Sequence, residues 1–203
     1  MRVNTVGWNR VRYSLVAPLY DRIHFFTRQR ARSIALLGLR PGERVIVVGA
    51  GPGHDLAFIP AENPVLVTDV APGMIASARR RARPGAAFAV MDGARLDVAD
   101  GAFDAAVLHL VLAVMPDPVS CLREVARVLA PGGHAAVLDK FLADGARPGV
   151  LRRVANVPAK LIATDFNRRL GDLLAAAATP LRVVHDEPAA FGNLFRIVIL
   201  ARP

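Results

Sequence analysis

Apolar runs and stretches of helical length alternate along the middle of the chain. Short, mostly β-branched runs bounded by turn residues are typical of strands that are covered on both faces. Such strands are predicted at residues 43–48, 65–69, 87–91, 103–110 and 134–141. Helices are predicted over 54–59 and 72–83, and from Pro118 to the stop at Pro131-Gly132-Gly133. This alternation predicts an α/β fold with a parallel sheet and ligands at the carboxyl ends of its strands.

Two helical segments and a last pair of strands surround this core. Residues 1–39 carry apolar and aromatic side chains at roughly helical spacing among arginines, and Pro18 is expected to break the run. A second helical stretch is predicted over 151–178. The strands at 181–187 and 195–200 have no helix between them, so they predict an antiparallel hairpin at one edge of the sheet.

Length and composition narrow the class of protein. The chain has 203 residues, of which 53% are hydrophobic, which is enough for one packed domain. Cys121 is the single cysteine, so neither a disulfide framework nor a zinc site built from thiolates is expected, and no metal site is predicted. The chain shows no signal-peptide pattern, and its longest apolar run, 105–115, is short of the roughly 20 residues that span a bilayer. A cytoplasmic protein is therefore expected.

The net charge of +9 is unevenly distributed. Residues 1–42 contain eight arginines against one acid, Asp21. The second helical segment and the loop before it add a further group of cations: Arg147, Arg152, Arg153, Lys160, Arg168 and Arg169. Such a surface suits phosphate, nucleic acid or an anionic membrane, and the alternative is the solvated surface of an arginine-rich composition. Nothing in the sequence indicates an oligomeric state.

Three glycines follow the first strand at every second position. Gly49, Gly51 and Gly53 would let the backbone approach a nucleoside closely. The dinucleotide fingerprint G-x-G-x-x-G/A would require Gly or Ala at position 54, where this chain has His54. The loop therefore favours a nucleoside without a pyrophosphate.

Two carboxylates end the next two strands. Asp69 lies 20 residues after Gly49, which is the spacing at which an acidic side chain accepts hydrogen bonds from ribose hydroxyls. Asp92 ends the third strand, where it could accept from an exocyclic amine or serve as an ordinary turn residue. The loop and Asp69 together predict a ligand that contains a nucleoside.

At this point the chain resembles the class I S-adenosylmethionine-dependent methyltransferases over nearly its whole length. The matching motifs are Val45-Ile-Val-Val-Gly-Ala-Gly-Pro-Gly, Val67-Thr-Asp-Val-Ala-Pro-Gly-Met-Ile, Met91-Asp-Gly-Ala, Phe103-Asp-Ala-Ala-Val, Met115-Pro-Asp-Pro and Glu124-Val-Ala-Arg-Val-Leu-Ala-Pro-Gly-Gly. The resemblance implies a Rossmann-like, mostly parallel sheet of seven strands with an antiparallel C-terminal hairpin and helices on both faces. It also implies one domain, 1–203, with an N-terminal helical lid (1–42), a cofactor-binding core (43–141), an inserted helical cover (142–180) and the hairpin (181–203).

The resemblance further implies S-adenosyl-L-methionine as the cofactor and S-adenosyl-L-homocysteine as the product. The glycine loop would pass under the methionine part, Asp69 would bind ribose, and Met74 and Asp92 would contact adenine. The residues that it assigns to cofactor binding are Tyr20, Gly49, Ala50, Gly51, Gly53, Asp69, Val70, Met74, Asp92, Gly93, Ala94 and His109.

Two segments resemble particular branches of that family. Leu15-Val-Ala-Pro-Leu-Tyr-Asp and Pro116-Asp-Pro118 are most similar to bacterial phospholipid N-methyltransferases and quinone C-methyltransferases. By that resemblance Tyr20 would lie near the cofactor carboxylate. The chain departs from the family at Val47, where an Asp or Glu usually stands two residues before the first glycine.

Methyl transfer from a sulfonium is an in-line displacement, so the protein chiefly aligns acceptor, methyl and sulfur and excludes water. A base within about 3 Å would help an oxygen or carbon acceptor. His109 is the candidate for that role, with Tyr20 as a second catalytic candidate, although His109 could equally line the cofactor pocket or be simply packed.

The expected function is methylation of a small-molecule or lipid-like acceptor: a phospholipid amine, a quinol or a related aromatic. Peripheral contact with an anionic membrane would fit the charge, and nucleic acid is a weaker expectation. A tailoring methyltransferase of secondary metabolism, an RNA methyltransferase and a non-catalytic cofactor-binding homologue stay open as alternatives.

Overall fold

The computed structural model describes residues 4–22, 26–141 and 168–203. Its strands form one sheet, in the order β3-β2-β1-β4-β5-β7-β6. They are β1 (Val45–Val48), β2 (Val65–Asp69), β3 (Ala86–Val90), β4 (Phe103–His109), β5 (Leu129–Lys140), β6 (Arg182–Ala190) and β7 (Phe195–Ala201). Strands β1 to β5 are parallel, and β7 runs antiparallel to both β5 and β6. The predicted parallel sheet with its antiparallel C-terminal hairpin is confirmed.

Helices precede and separate these strands. They are α1 (Val6–Arg22), α2 (Thr27–Ala35), α3 (Pro72–Ala78), α4 (Pro118–Val128) and α5 (Leu170–Ala177), with 3₁₀ turns at His54–Ala57 and Arg79–Arg81. Helix α4 begins as predicted, because the Asp117 carboxylate accepts from the Ser120 N–H at 2.9 Å and Pro118 occupies the first turn. The helices predicted over 54–59 and 72–83 are shorter and partly 3₁₀.

The predicted break at Pro18 is wrong, because α1 continues through it to Arg22. Proline removes one N–H from the helix ladder, which leaves the Ser14 carbonyl without its usual donor. Helix α1 packs there on α3, where the Gly73 N–H donates to Ser14 Oγ at 3.2 Å. Tertiary packing thus outweighs the local preference against proline in this helix.

Side chains of β1 alternate between two apolar layers. Ile46 and Val48 face the layer that contains residues of α4 and α5, whereas Val45 and Val47 face the layer that contains Ile34 of α2. The predicted helices on both faces of the sheet are thereby confirmed. Val47 is 1% exposed and packs in an apolar cluster, where valine fits and a charged side chain would lose its hydration.

Strand β5 starts earlier than predicted. It begins at Leu129 and includes Pro131-Gly132-Gly133, with a register shift against β4 between Phe103 and Ala105. The parallel strands end at one edge of the sheet, and this edge carries the loops that build the site described below.

Several sequence-based predictions fall outside the described residues. The main one is most of the helix predicted over 151–178, of which α5 at Leu170–Ala177 is described. Tyr20 lies in α1, but its side chain is not among those described. Within the described ranges, no helix is long and apolar enough to cross a membrane.

Candidate active site

A cavity of about 440 Å³ opens at the carboxyl edge of the parallel strands, within the size range of small-molecule sites. It brings together nine of the residues that the family resemblance assigned to cofactor binding: Gly49, Ala50, Gly51, Asp69, Val70, Met74, Asp92, Gly93 and His109. Gly53 and Ala94 are not among its lining residues. The motifs at the ends of β1, β2, β3 and β4 therefore converge on one space.

The glycine loop lies close to its neighbours. Gly49 has φ +67°, and a Cβ added there would lie 2.3 Å from Val111 Cγ2. Gly53 has φ +83°, and a Cβ there would lie 3.0 Å from the Cβ of Ala78 in α3. Gly49 thus lets Val111 pack closely on the loop, and Gly53 lets the loop pack on α3.

The Asp69 carboxylate holds the loop in place. Its Oδ2 accepts from the Gly51 N–H and its Oδ1 from the Ala71 N–H, both at 2.8 Å. Burial raises the pKa of Asp69, and these backbone donors act in the opposite direction. Each oxygen has a second lone pair, so the carboxylate can also accept from a pair of hydroxyls in the cavity.

The end of β3 forms a tight turn below the cavity. Asp92 Oδ1 accepts from the Ala94 N–H at 3.0 Å. Ala94 does not line the cavity, but its N–H stabilises the turn at Asp92. A Cβ on Gly93 would lie 2.7 Å from Val48 Cγ1, so a larger residue would push into the core. Met74 is 2% exposed and presents an apolar surface to the cavity.

His109 lies at the end of β4, as predicted, but within a polar network that the sequence patterns did not reveal. Its Nδ1 lies 2.7 Å from Asp55 Oδ1, and its Nε2 lies 3.0 Å from Ser33 Oγ. The Arg30 guanidinium donates through Nη1 to both oxygens of Asp55 at 2.7 Å. All four side chains are buried, and Arg30 and His109 also line the cavity.

The charges of this network compensate one another. Burial by itself would raise the pKa of the Asp55 carboxyl, but His109 and Arg30 outweigh it and hold that pKa well below its usual range. The carboxylate is therefore ionised and fixes the imidazole and the guanidinium beneath the glycine loop. Because both ring nitrogens of His109 have partners, action as a base would require it to give up one of them.

The far end of the cavity has different chemistry. Lys140, at the end of β5, lines it together with three aromatic residues, Phe26, Phe191 and Phe195. The neighbouring Asp139 is buried, and its carboxylate accepts from the Ala113 and Lys140 N–H groups at 2.9 and 2.8 Å. Burial raises the pKa of Asp139 and lowers that of Lys140.

Two other residues from the sequence analysis have defined positions. Arg168 donates to the carbonyls of Leu112 and Met115 beside the cavity. Cys121 is fully buried in α4, and burial raises the pKa of its thiol, as expected for an inert cysteine. Among the described residues, no group of three or more His, Cys, Asp and Glu side chains could hold a metal ion.

Comparison with known proteins agrees with this geometry. The methyltransferase domain family model matches residues 46–137. Phosphatidylethanolamine N-methyltransferase of Cereibacter sphaeroides is 30% identical over 184 residues, which cover 85% of this chain and 86% of that protein. Demethylmenaquinone methyltransferase of Beutenbergia cavernae is 39% identical over 111 residues, which cover 54% of this chain and 46% of that protein.

A solved structure resembles the whole chain. The [4+2]-cyclase SpnF superimposes with a TM-score of 0.79 at 18% identity, covering 98% of this chain and 97% of its own. At this identity the likeness shows the shared fold and not the reaction.

The fold and the loop at its carboxyl edge define a class I, Rossmann-like methyltransferase architecture. The chain belongs to the S-adenosylmethionine-dependent methyltransferase family, and S-adenosylmethionine is the cofactor of that family. It spans about half the length of the demethylmenaquinone methyltransferases that it matches.

Proposed function

We propose that this chain transfers a methyl group from S-adenosylmethionine to a small-molecule or lipid-like acceptor. The observation that carries the proposal is the pairing of the glycine loop with Asp69, whose carboxylate supports Gly51 and faces a cavity of about 440 Å³. Gly51 lines this cavity and a Cβ there would meet nothing within 4 Å, so a ligand can lie directly against the backbone at this position. When bound, the cofactor supplies an activated methyl group on a sulfonium.

The residues of this chain would then bind and orient that cofactor. Asp69 accepts from the ribose hydroxyls, with Val70 beside it, and Asp92 with Gly93 and Ala94 receives the adenine. Met74 packs against the adenine ring, and the backbone from Gly49 to Gly53 passes under the methionine part. Tyr20 is proposed to lie near the cofactor carboxylate.

His109 is proposed to line the cofactor site and to position its neighbours. Its imidazole is held between Asp55 and Ser33, which fixes the end of β4 against α2. That placement supports alignment of the reactants and exclusion of water. We propose His109 or Tyr20 as the base for an acceptor that is deprotonated within the site. An acceptor that loses its proton to solvent needs no such base.

We also propose that residues 1–203 act as one methyltransferase domain. In it residues 1–42 form a lid, residues 43–141 bind the cofactor, residues 142–180 form an inserted cover and residues 181–203 complete the sheet. Support comes from α1, whose Asn9 and Tyr13 line the cavity, and from Arg168, which attaches the end of the cover beside it.

We infer further that α1 contacts an anionic membrane surface from which a lipid-like acceptor is taken. Trp8, Val11 and Leu15 follow helical spacing and are 48%, 56% and 76% exposed. Asn9 and Tyr13 of the same helix line the cavity, so α1 connects the site with the outside. Arg10 and Arg12 of the same helix add positive charge that complements anionic headgroups.

The proposed activity is tested by incubating the protein with methyl-labelled S-adenosylmethionine and a lipid extract, a quinol set or RNA. Label is expected in the lipid or quinol fraction. S-adenosylhomocysteine binding is measured separately by calorimetry. If the wild-type protein binds no S-adenosylhomocysteine, the proposed function is wrong, whereas binding without transfer to any fraction would support a non-catalytic homologue.

A further inference from the structure

The cavity has two ends with opposite chemistry. Of its described carboxylates, Asp69 ends β2 and Asp92 follows β3, whereas Lys140 ends β5. Three strand spacings separate β2 from β5, or roughly 14 Å across the sheet. The end near Lys140 therefore lies beyond the proposed cofactor site.

Three phenylalanines from separate segments form a cluster at this end. The ring centroids of Phe26 and Phe195 are 4.5 Å apart, and Phe191 lies 6.4 and 5.9 Å from those two rings. The Lys140 ammonium lies 5.8 Å from the centroid of Phe195. Phe191 is 76% exposed, so the cluster has an aromatic surface that a ligand could cover.

The backbone is strained at the same place. Among the described residues, four that are not glycine have positive φ, and three of them line this cavity: Phe26 at +62°, Leu110 at +61° and Phe191 at +49°. The left-handed region is unfavourable for side chains of this size, and such strain clusters at functional sites. Two of these residues, Phe26 and Phe191, belong to the aromatic cluster at the Lys140 end, which favours a binding role for it.

Charge decides which acceptor fits this end. Methylation of an amine moves positive charge from sulfur to nitrogen, and the ammonium of Lys140 would oppose that change. A phenolate carries negative charge before transfer, so the same ammonium would stabilise its bound form. An aromatic ring also fits the phenylalanine cluster, because aromatic pairs prefer offset or edge contacts.

We propose, on the basis of the methyltransferase function above, that the acceptor is a hydroxylated aromatic ring, with its ring on Phe26, Phe191 and Phe195 and its ionised oxygen on Lys140. The hydroxyl proton passes to solvent on binding. The phenolate supplies the electron pair for the new bond to the methyl carbon, and the carbon–sulfur bond breaks with both electrons left on sulfur. Where a ring carbon attacks, its hydrogen leaves afterwards as a proton.

A matched pair of probes tests this proposal. Binding of 2-naphthol and of 2-(aminomethyl)naphthalene is measured by fluorescence, with the protein saturated with S-adenosylhomocysteine. The two probes share one ring system and differ in the group offered to Lys140. The wild-type protein is expected to bind the naphthol about tenfold more tightly, as one charge-assisted hydrogen bond predicts.

Variants assign the preference to Lys140. Lys140→Met is expected to abolish the preference for the naphthol, whereas Lys140→Arg should retain it. Arg182→Met, at an exposed position on β6, is the control and should leave the preference unchanged. Phe195→Leu should weaken the binding of both probes. All variants should bind S-adenosylhomocysteine like the wild type, which separates this proposal from the function on which it rests.

Three results would overturn the proposal. They are equal affinity of Lys140→Met and wild type for 2-naphthol, no binding of either probe to the wild type, and faster methyl transfer to phosphatidylethanolamine vesicles than to 2-naphthol. The last result would assign Lys140 to the phosphate of a lipid headgroup.

Discussion

The Nδ1 of His109 lies 2.7 Å from Oδ1 of Asp55 and joins the end of β4 to the turn that follows the glycine loop. Arg30 and Ser33 of α2 complete the contact from the other side. The network thus connects three segments directly beneath the proposed cofactor site. Asp55 is the buried carboxylate of this network, whereas the nearby strand residue Val47 is apolar.

Asp55→Asn is expected to destabilise the protein strongly. The substitution leaves the Arg30 guanidinium buried without its counter-charge, and removal of one partner from a buried pair typically costs about 3–5 kcal/mol. The free energy of unfolding, measured with urea, should fall by that order. The affinity for S-adenosylhomocysteine should fall as well, because the turn after Gly53 loses its anchor.

Asp104→Asn is the matched control for this change. Asp104 also pairs with an arginine, Arg44, but the two side chains are 30% and 50% exposed. An exposed pair contributes up to about 1 kcal/mol, so this variant should stay close to the wild type. If both variants lost the same free energy of unfolding, the buried Asp55 pair would contribute no more to stability than an exposed pair.

The same carboxylate predicts a particular response to acid. Because the folded-state pKa of Asp55 is lowered, its contribution is fully present above its unfolded pKa of about 4 and is lost as the pH falls below it. Asp69 and Asp139 have raised pKa values, so their effect on stability as the pH falls has the opposite sign. That effect is the same in the wild type and in the variant. Unfolding at several pH values from about 6 to about 3 should therefore show a steeper loss for wild type than for Asp55→Asn.

The parts that could be predicted from sequence are local ones. The glycine loop, Asp69 and Asp92 each follow an apolar strand directly, and parallel strands bring their carboxyl ends together. The alternation of strands and helices was enough to predict the parallel sheet. The lack of a helix between the last two strands was enough to predict the antiparallel hairpin. The break at Pro18 was wrong because a contact 59 residues away, between Ser14 and Gly73, supports the helix.

The buried network and the aromatic cluster could not be predicted in this way. Arg30 and Asp55 are 25 positions apart, and His109 is 54 positions from Asp55. No periodicity or spacing rule pairs such residues, because their contact depends on how α2 lies on the sheet. Lys140 and Phe195 likewise meet only through the antiparallel pairing of β5 and β7.

Asp69→Ala should reduce cofactor affinity by at least about tenfold, because each hydrogen bond to a charged group contributes about 1.5–3 kcal/mol. The variant loses both the proposed ribose contact and the support of Gly51. Calorimetry with S-adenosylhomocysteine measures the effect, and Asp97→Ala at an exposed position is the control. Unchanged affinity of Asp69→Ala would refute the ribose assignment.

Gly73→Ala should displace α1 from α3. A Cβ at this position would lie 2.7 Å from Ser14 Cα and 2.8 Å from its carbonyl oxygen, and backbone atoms cannot move aside as a flexible side chain can. Overpacking of this kind costs about 1–3 kcal/mol. Because α1 carries Asn9 and Tyr13 at the cavity, acceptor binding should weaken together with thermal stability.

Gly7→Ala provides the opposite control within the same helix. A Cβ there meets nothing within 4 Å, and alanine in a helix is favoured over glycine by about 0.5–1 kcal/mol. This variant should be as stable as the wild type or slightly more stable. If both variants lost stability alike, the close approach of α1 and α3 would not be the cause.

Replacing Trp8 and Leu15 together by serine should release the protein from anionic membranes. Each exposed apolar side chain that enters the headgroup region contributes roughly 1.5–3 kcal/mol, so the double variant should lose at least about a hundredfold in vesicle binding. Co-sedimentation with vesicles of phosphatidylglycerol and phosphatidylcholine measures this loss of binding.

The control variant, Val183→Ser with Val184→Ser, removes two exposed apolar side chains of β6 and should sediment like the wild type. Added salt should weaken binding further, because it screens the attraction between the arginines of α1 and the anionic headgroups. Sedimentation of the Trp8 and Leu15 variant at the wild-type level would exclude α1 as the membrane contact.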